Sequence, residues 1–135
     1  MLHAESGENS LAPALTKKLD HRVLDLRTPV NHAIFGTVSK LTNYMRAFLI
    51  QNGFMEIFTP KLIGAASEGG SEFFKLKYFG QDAYLAQSPQ LFKQMAICAD
   101  FDRVFTVGPV FRAENSNTHR HLTEYTGFDL EMTFK

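Results

Sequence analysis

The stretch Val104-Phe105-Thr106-Val107-Gly108-Pro109-Val110-Phe111-Arg112-Ala113-Glu114 is followed, after a polar loop, by Glu124-Tyr125-Thr126-Gly127-Phe128-Asp129-Leu130-Glu131-Met132-Thr133-Phe134. Both halves alternate with period two, the pattern of strands that bury one face. In the first, Phe105, Val107 and Phe111 point one way, and Val110, Arg112 and Glu114 the other. In the second, Phe128, Leu130, Met132 and Phe134 are expected on the core side, with Gly127, Asp129 and Glu131 opposite. A loop of about ten residues suits an antiparallel pair. That pairing puts Arg112, Glu114, Asp129 and Glu131 on one sheet face. Charges of mixed sign on an aromatic-backed sheet predict a polar ligand floor. Pro109 lacks the N–H that a central strand donates, so it predicts a bulge or an edge.

Upstream, Thr28-Pro29 is a helix start, a hydroxyl cap followed by proline where the missing N–H costs nothing. Ile34, Val38, Leu41, Met45 and Phe48 then recur at helical spacing, and Asn52-Gly53 ends the helix. Phe54 to Phe58 reads as a short strand, stopped by Thr59-Pro60. Gly64-Ala65-Ala66-Ser67-Glu68-Gly69-Gly70 reads as a mobile loop. Phe73 to Phe79 and Ala83 to Ala86 read as strands around a Gly80-Gln81-Asp82 turn. Ser88-Pro89 repeats the capped helix start. There Phe92, Met95, Ala96 and Ala99 are expected to form the buried face, while Gln90 and Lys93 share another stripe and can reach one space together. Residues 1–19 read as a linker or arm with a short helix over Ala14 to Leu19. The expected fold class is α+β, an antiparallel sheet flanked by helices.

Composition narrows the function. The chain has 135 residues, of which 44% are hydrophobic and 21% charged, so it should fold. Fourteen basic residues balance fourteen acidic ones, which excludes bulk attraction to a polyanion as the main source of affinity. The single cysteine, Cys98, excludes an internal disulfide and a multi-cysteine metal site, and its setting predicts a small packed hydrophobe. No apolar run approaches the roughly 20 residues of a membrane span, and the N-terminus has neither a secretory nor a mitochondrial pattern. A cytoplasmic location is the expectation. Phosphate-binding glycine signatures of the G-x-x-x-x-G-K-[ST] and G-x-G-x-x-G kinds are absent. His119-Arg120-His121 reads as polar loop, and no metal site is expected.

The phrase Val110-Phe111-Arg112-Ala113-Glu114, the loop, and Arg120-His121-Leu122-Thr123-Glu124-Tyr125 together resemble motif 2 of the class II aminoacyl-tRNA synthetases. Pro60, after a long helix and a short strand, resembles their motif 1. Ser67-Glu68-Gly69-Gly70 and Gln87-Ser88-Pro89-Gln90-Leu91-Phe92-Lys93-Gln94 look like the aspartyl branch of that family, in its archaeal and eukaryotic cytosolic form. The resemblance runs from about Leu19 to Lys135, with the motifs in the family's order.

The resemblance implies activation of L-aspartate with ATP to aspartyl-adenylate, then transfer to the acceptor end of tRNA(Asp). Arg112 would bridge the substrate carboxylate and the α-phosphate, a role suited to a planar fork of donors. By the same resemblance Glu114 accepts from the adenine amino group, Arg120 serves the terminal phosphates, and His121 and Leu122 lie along the ATP. Lys93 would take the aspartate side-chain carboxylate, and Ser88, Gln90 and Asp129 would surround the substrate ammonium. Glu68 would belong to a lid over the amino acid. The 31–60 region would build a homodimer. Mg2+ is expected with ligands outside this chain.

Read without the resemblance, Arg112 could simply pair with Glu131 across the strands, Glu114 could form a surface ion pair, and Lys93 could be solvated. Two other readings stand beside the aspartyl one. An asparaginyl-tRNA synthetase shares the scaffold, although Lys93 and the Ser88-Pro89-Gln90 start argue against it. A non-catalytic dimerisation or binding module is the other, although Arg112 and Glu114 are both present. Residues 20–135 match the first half of a class II catalytic domain. Motif 3, its arginine, the acidic metal ligands, a second carboxylate-binding arginine and an anticodon-binding barrel have no counterpart here. The chain by itself is therefore expected to show no ligase activity; ATP–pyrophosphate exchange above background with the purified 135-residue chain would contradict that.

Overall fold

The computed structural model describes residues 15–65, 73–116, 118 and 120–134. Glu68, Gly69, Gly70 and His119 lie outside them. The elements in chain order are α1 (Leu15–Asp20), α2 (Arg22–Leu26), α3 (Pro29–Gln51), β1 (Met55–Glu56), β2 (Leu62–Ile63), β3 (Lys75–Tyr78), β4 (Gln81–Leu85), α4 (Gln90–Cys98), β5 (Arg103–Phe111) and β6 (Glu124–Met132). The chain divides into two compact units, one up to Met45 and one from Arg46.

In the first unit, the start of α3 is built by Thr28. Its Oγ1 accepts from the Asn31 backbone N at 3.5 Å and from Asn31 Nδ2 at 2.9 Å, and its hydroxyl donates to the Asp25 carbonyl at 2.8 Å. Those bonds satisfy donors that an uncapped helix leaves open. The expected apolar stripe is present, but Ile34, Val38 and Leu41 are exposed in the single chain, as is Phe48 in the second unit, where Leu49 is the buried residue of α3.

In the second unit, α3 ends in a left-handed turn. Gly53 has φ +78°, its N–H donates to Ile50 O at 3.0 Å, and Phe54 N–H donates to Leu49 O at 3.0 Å. That reciprocal pair satisfies two carbonyls and needs a residue without a Cβ penalty. Arg46 Nε reaches Glu56 Oε1 at 3.1 Å, and Arg103 Nη1 donates to Asn52 O at 2.7 Å, tying the helix end to β1 and β5.

Two three-stranded sheets follow, ordered β1-β5-β6 and β2-β4-β3. Strand β5 pairs antiparallel with β6 from Arg103↔Met132 to Phe111↔Glu124. The short β1 runs parallel to β5, so the first sheet is not wholly antiparallel as expected. Pro109 is accommodated because β1 pairs only with Val104 and Phe105. Arg112 N bonds Thr123 O in the β6 direction while Phe111 N bonds Ala86 O on the other side, so by alternation the Pro109 nitrogen faces away from β6. The second hairpin turns at Phe79-Gly80, with φ +49° and +75°, one residue earlier than expected. Two consecutive positive φ values suit the tight two-residue turn. Asp82 is thereby placed inside β4, where Lys75 at 2.7 Å and Lys77 at 2.5 Å hold its carboxyl below the usual carboxylate range. This pairing supports the fold above the pH at which an unfolded aspartate titrates, and the support is lost as pH falls through the folded value.

The core gathers around β5, where Val104 and Phe105 are fully buried and Phe105 stacks on Phe128 at 5.8 Å between ring centroids. Further along β6 the expected core side is open: Leu130, Met132 and Phe134 are exposed. The reason is that α4 sits against the charged face of β6, through Lys93, and leaves the apolar face uncovered there.

Replacing Gly53 by alanine should lower stability by about 1 kcal/mol, the cost of forcing a Cβ into the left-handed region. Urea unfolding measures it, and an unchanged midpoint would refute the role given to this turn.

Candidate functional site

The charged face of β5–β6 is a ladder of rungs: Val104↔Glu131, Thr106↔Asp129, Gly108↔Gly127 and Val110↔Tyr125. The bond from Arg112 N to Thr123 O, 2.9 Å, extends it by one more. Same-face rungs are about 7 Å apart. Two clefts lie along this face. The first, of about 290 Å³, is walled by Lys61, Gln87, Ser88, Arg112, Tyr125 and Asp129 over the two glycines. The second, of about 320 Å³, is lined by Arg112, Glu114, Arg120, His121, Leu122 and Tyr125. Arg112 and Tyr125 belong to both, so the clefts share a boundary, with the guanidinium 5.9 Å from the Tyr125 ring centre.

Within the second cleft Glu114 takes two weak partners, Arg112 Nη1 at 3.8 Å and His121 Nε2 at 3.7 Å. His121 Nδ1 is bracketed by Thr118 Oγ1 at 2.7 Å and Ser116 Oγ at 3.1 Å. These contacts organise the loop after Arg112 and leave long, partly exposed side chains around an open space.

Behind the first cleft lies a charge cluster around one buried ammonium. Lys93 on α4 is 1% exposed. Its ammonium donates to Asp129 Oδ1 in a short contact, to the Leu130 carbonyl at 3.2 Å and to Glu131 Oε2 at 3.2 Å. An ammonium has three donors, and all three are used. Gln90 Nε2 donates to the same Glu131 oxygen at 3.0 Å. Ser88 Oγ accepts from the Gln90 backbone at 3.4 Å, and the helix begins at Gln90 with Pro89 in the cap position, one residue later than expected.

Several expectations change here. The buried face of α4 was to hold Phe92, Met95, Ala96 and Ala99; instead Met95 and Ala99 are exposed and Lys93 is the buried residue. Two carboxylates from β6 compensate the desolvation of its charge, which no hydrophobicity pattern signals. Cys98 is exposed rather than packed. Arg112 does not pair with Glu131, because Glu131 lies opposite Val104 and is occupied by Lys93 and Gln90.

Of the residues singled out from sequence, Ser88, Arg112 and Asp129 meet in the first cleft, and Arg112, Glu114, Arg120, His121 and Leu122 in the second. Gln90 and Lys93 do not line the first cleft; they stand behind Asp129 and beside Glu131. Sequence reasoning missed three wall residues. Tyr125 could have been found, since it shares the period-two face with Asp129. Gln87 and Lys61 carry no periodic signal.

A family model described as tRNA synthetases class II (D, K and N) matches residues 14–135, and the chain belongs to this family. Among individual relatives, it is 64% identical over 119 residues to "Aspartate--tRNA ligase, cytoplasmic 1" of Dictyostelium discoideum, covering 88% of this chain and 21% of that protein. Among solved structures, an aspartyl tRNA synthetase from Entamoeba histolytica matches with TM-score 0.75 and 48% identity, over 97% of this chain and 23% of that one. An asparaginyl-tRNA synthetase from Pyrococcus horikoshii, complexed with asparaginyl-adenylate, matches with TM-score 0.84 and 41% identity, over 91% of this chain and 28% of that one. The chain thus spans between 21% and 28% of the length of these relatives.

Lys93→Met should destabilise the protein by about 2 kcal/mol, because Asp129 and Glu131 would face each other without a cation, although both keep some solvent. Chemical denaturation reads this directly, and no loss would mean the carboxylates rehydrate freely.

Proposed function

We propose that this chain forms the amino-acid and ATP site of an aspartate–tRNA ligase. The whole protein would activate L-aspartate with ATP to aspartyl-adenylate and pass the aspartyl group to tRNA(Asp). The observation that carries this reading is the buried Lys93 ammonium behind Asp129, on the face that also presents Arg112.

In the first step a carboxylate oxygen of aspartate attacks the α-phosphorus of ATP. The new O–P bond forms as the bond from that phosphorus to the bridging oxygen breaks, and pyrophosphate leaves with the electron pair. No proton needs to move, so positioning and charge stabilisation supply the catalysis. Arg112 spans the carboxylate and the α-phosphate with its fork of donors. Glu114 accepts from the adenine amino group, and Arg120, His121 and Leu122 follow the ATP through the second cleft.

Selection of aspartate over asparagine follows from Lys93. At rest its donors are saturated by Asp129, Leu130 and Glu131. The substrate ammonium draws Asp129 towards itself, with Ser88 and Gln90 close by. The donor this frees passes to the substrate side-chain carboxylate, so charges exchange partners and none is stranded. An asparagine amide would leave that ammonium underpaired in a desolvated place. Glu68 would act from the lid.

The scaffold does not distinguish the aspartyl from the asparaginyl activity, since both kinds of solved structure match it. Lys93 does so on chemical grounds. The exposed stripe of α3, within the 31–60 region, fits a homodimer contact. The relative from Dictyostelium discoideum is named as cytoplasmic, and we assign the same location here. No helix among the described residues is long and apolar enough to cross a membrane. Mg2+ would accompany ATP. Its ligands are proposed to lie outside this chain; among the described residues no three His, Cys, Asp or Glu side chains converge to hold a metal.

The full-length protein should catalyse ATP–pyrophosphate exchange with L-aspartate and not with L-asparagine. Lys93→Leu should abolish the aspartate-dependent exchange while circular dichroism still reports a folded protein. Exchange driven by asparagine, or unchanged aspartate turnover in a folded Lys93→Leu variant, would overturn the reading.

A further inference from the structure

Lys61 is the least expected charge on the site. It follows Pro60 immediately, and its backbone is anchored where the Ala86 N–H donates to the Lys61 carbonyl at 2.9 Å, beside the Gln87-Ser88 wall. Its side chain crosses the floor at the glycine rung. A Cβ on Gly108 would stand 3.3 Å from Lys61 Cε and 3.5 Å from Nζ, so the lysine end packs on bare backbone. Gly127, directly opposite, adds no side chain either.

The ammonium is short of partners. It donates to Thr59 Oγ1 at 2.9 Å, and no ion pair among the described residues includes it. Partial burial without a counter-charge pushes its pKa below the ordinary lysine value. A cation held in that condition gains when an anion arrives with the ligand. The charged groups on the same cleft are Asp129, one rung to one side, and Arg112, two rungs to the other on a long side chain.

We propose that Lys61 is a substrate-binding residue whose ammonium holds the α-carboxylate of the bound amino acid over the Gly108–Gly127 rung, between Asp129 and Arg112. This rests on the aspartate-activation reading above. In any α-amino acid a single carbon separates ammonium from carboxylate, so a substrate whose nitrogen is at Asp129 presents its carboxylate at the neighbouring rung. One carboxylate oxygen then accepts from Lys61. The other is left to attack the α-phosphorus beside Arg112, and the bare backbone beneath gives both room.

The test is aspartate-dependent ATP–pyrophosphate exchange with the full-length protein. Lys61→Met should raise the KM for L-aspartate about tenfold or more, with the KM for ATP moving less than about threefold, as expected for one hydrogen bond to a charged group. Lys61→Arg should recover most of the loss, and thermal unfolding of both variants should match the parent. A second readout is competitive inhibition by the α-carboxamide of aspartate. The parent should bind it about tenfold more weakly than aspartate, and Lys61→Met should lose most of that preference. If the parent activates aspartate and Lys61→Met keeps its KM and its preference, the Lys61 assignment alone is wrong. If the parent activates no aspartate, the function reading fails and takes this assignment with it. Should Lys61→Met unfold, Lys61→Gln serves the same comparison.

Discussion

An ammonium with almost no solvent access can stay charged only where the chain surrounds it with acceptors, and Lys93 is in that position. Its three acceptors all come from consecutive residues of β6, namely Asp129, Leu130 and Glu131. Side chains of consecutive strand residues point to opposite faces, so two carboxylates two residues apart and the carbonyl between them form a cup on one side. The lysine entering that cup from α4 locks the helix onto the sheet in one rotational setting. It also fixes Asp129 at the rim of the first cleft. The same contact is thus structural and, on the proposed reading, functional: its loss would loosen α4, and its partner exchange would let the site read a substrate.

That cup requires the β5–β6 register. A slip of β6 by one residue would move Asp129 and Glu131 to the aromatic face, where Phe105 and Phe128 stack, and part them from Arg112 at the end of β5. The parity of the whole face was legible from alternation, because period-two patterning over two long strands admits one antiparallel solution with the charges together. The boundaries of α3 were legible for a similar reason. Thr28-Pro29 and Asn52-Gly53 carry local chemistry, a hydroxyl acceptor and a left-handed glycine, that needs no tertiary context.

What was not legible depended on which neighbour arrives. Leu130, Met132 and Phe134 read as core, yet are exposed because α4 packs on the other side of β6. Met95 and Ala99 read as the buried face of α4 for the same reason, an assumption that the helix buries its apolar stripe. The helix instead buries a charge that finds its acceptors on the sheet. The β3–β4 turn was misplaced by one residue because Phe79 adopts positive φ, which sequence reasoning grants to glycine first. Ser88, Arg112 and Asp129 line one cleft. Lys61 escaped notice because a lone lysine after a proline has no period to give it away, and only its packing on Gly108 marks it.

A balanced composition is compatible with the proposed anion-binding role of the cleft, although fourteen positive and fourteen negative groups produce no long-range field for a polyanion. The charges are partitioned. Asp82 is taken up by Lys75 and Lys77 on the hairpin, Glu56 by Arg46 at the end of α3, and Glu131 by Lys93 behind the cleft. These pairs keep three carboxylates engaged with cations other than Arg112 and Lys61. Two cations therefore line the first cleft beside one half-buried carboxylate, Asp129, which is itself shared with Lys93, while Glu114 stands 3.8 Å from Arg112 on the side of the second cleft. The local surplus is positive where a carboxylate and a phosphate would meet, and it is felt over a few ångströms in a partly desolvated space rather than across the surface. A site of that kind would select small anionic substrates by contact and leave the capture of a large polyanion to other surfaces.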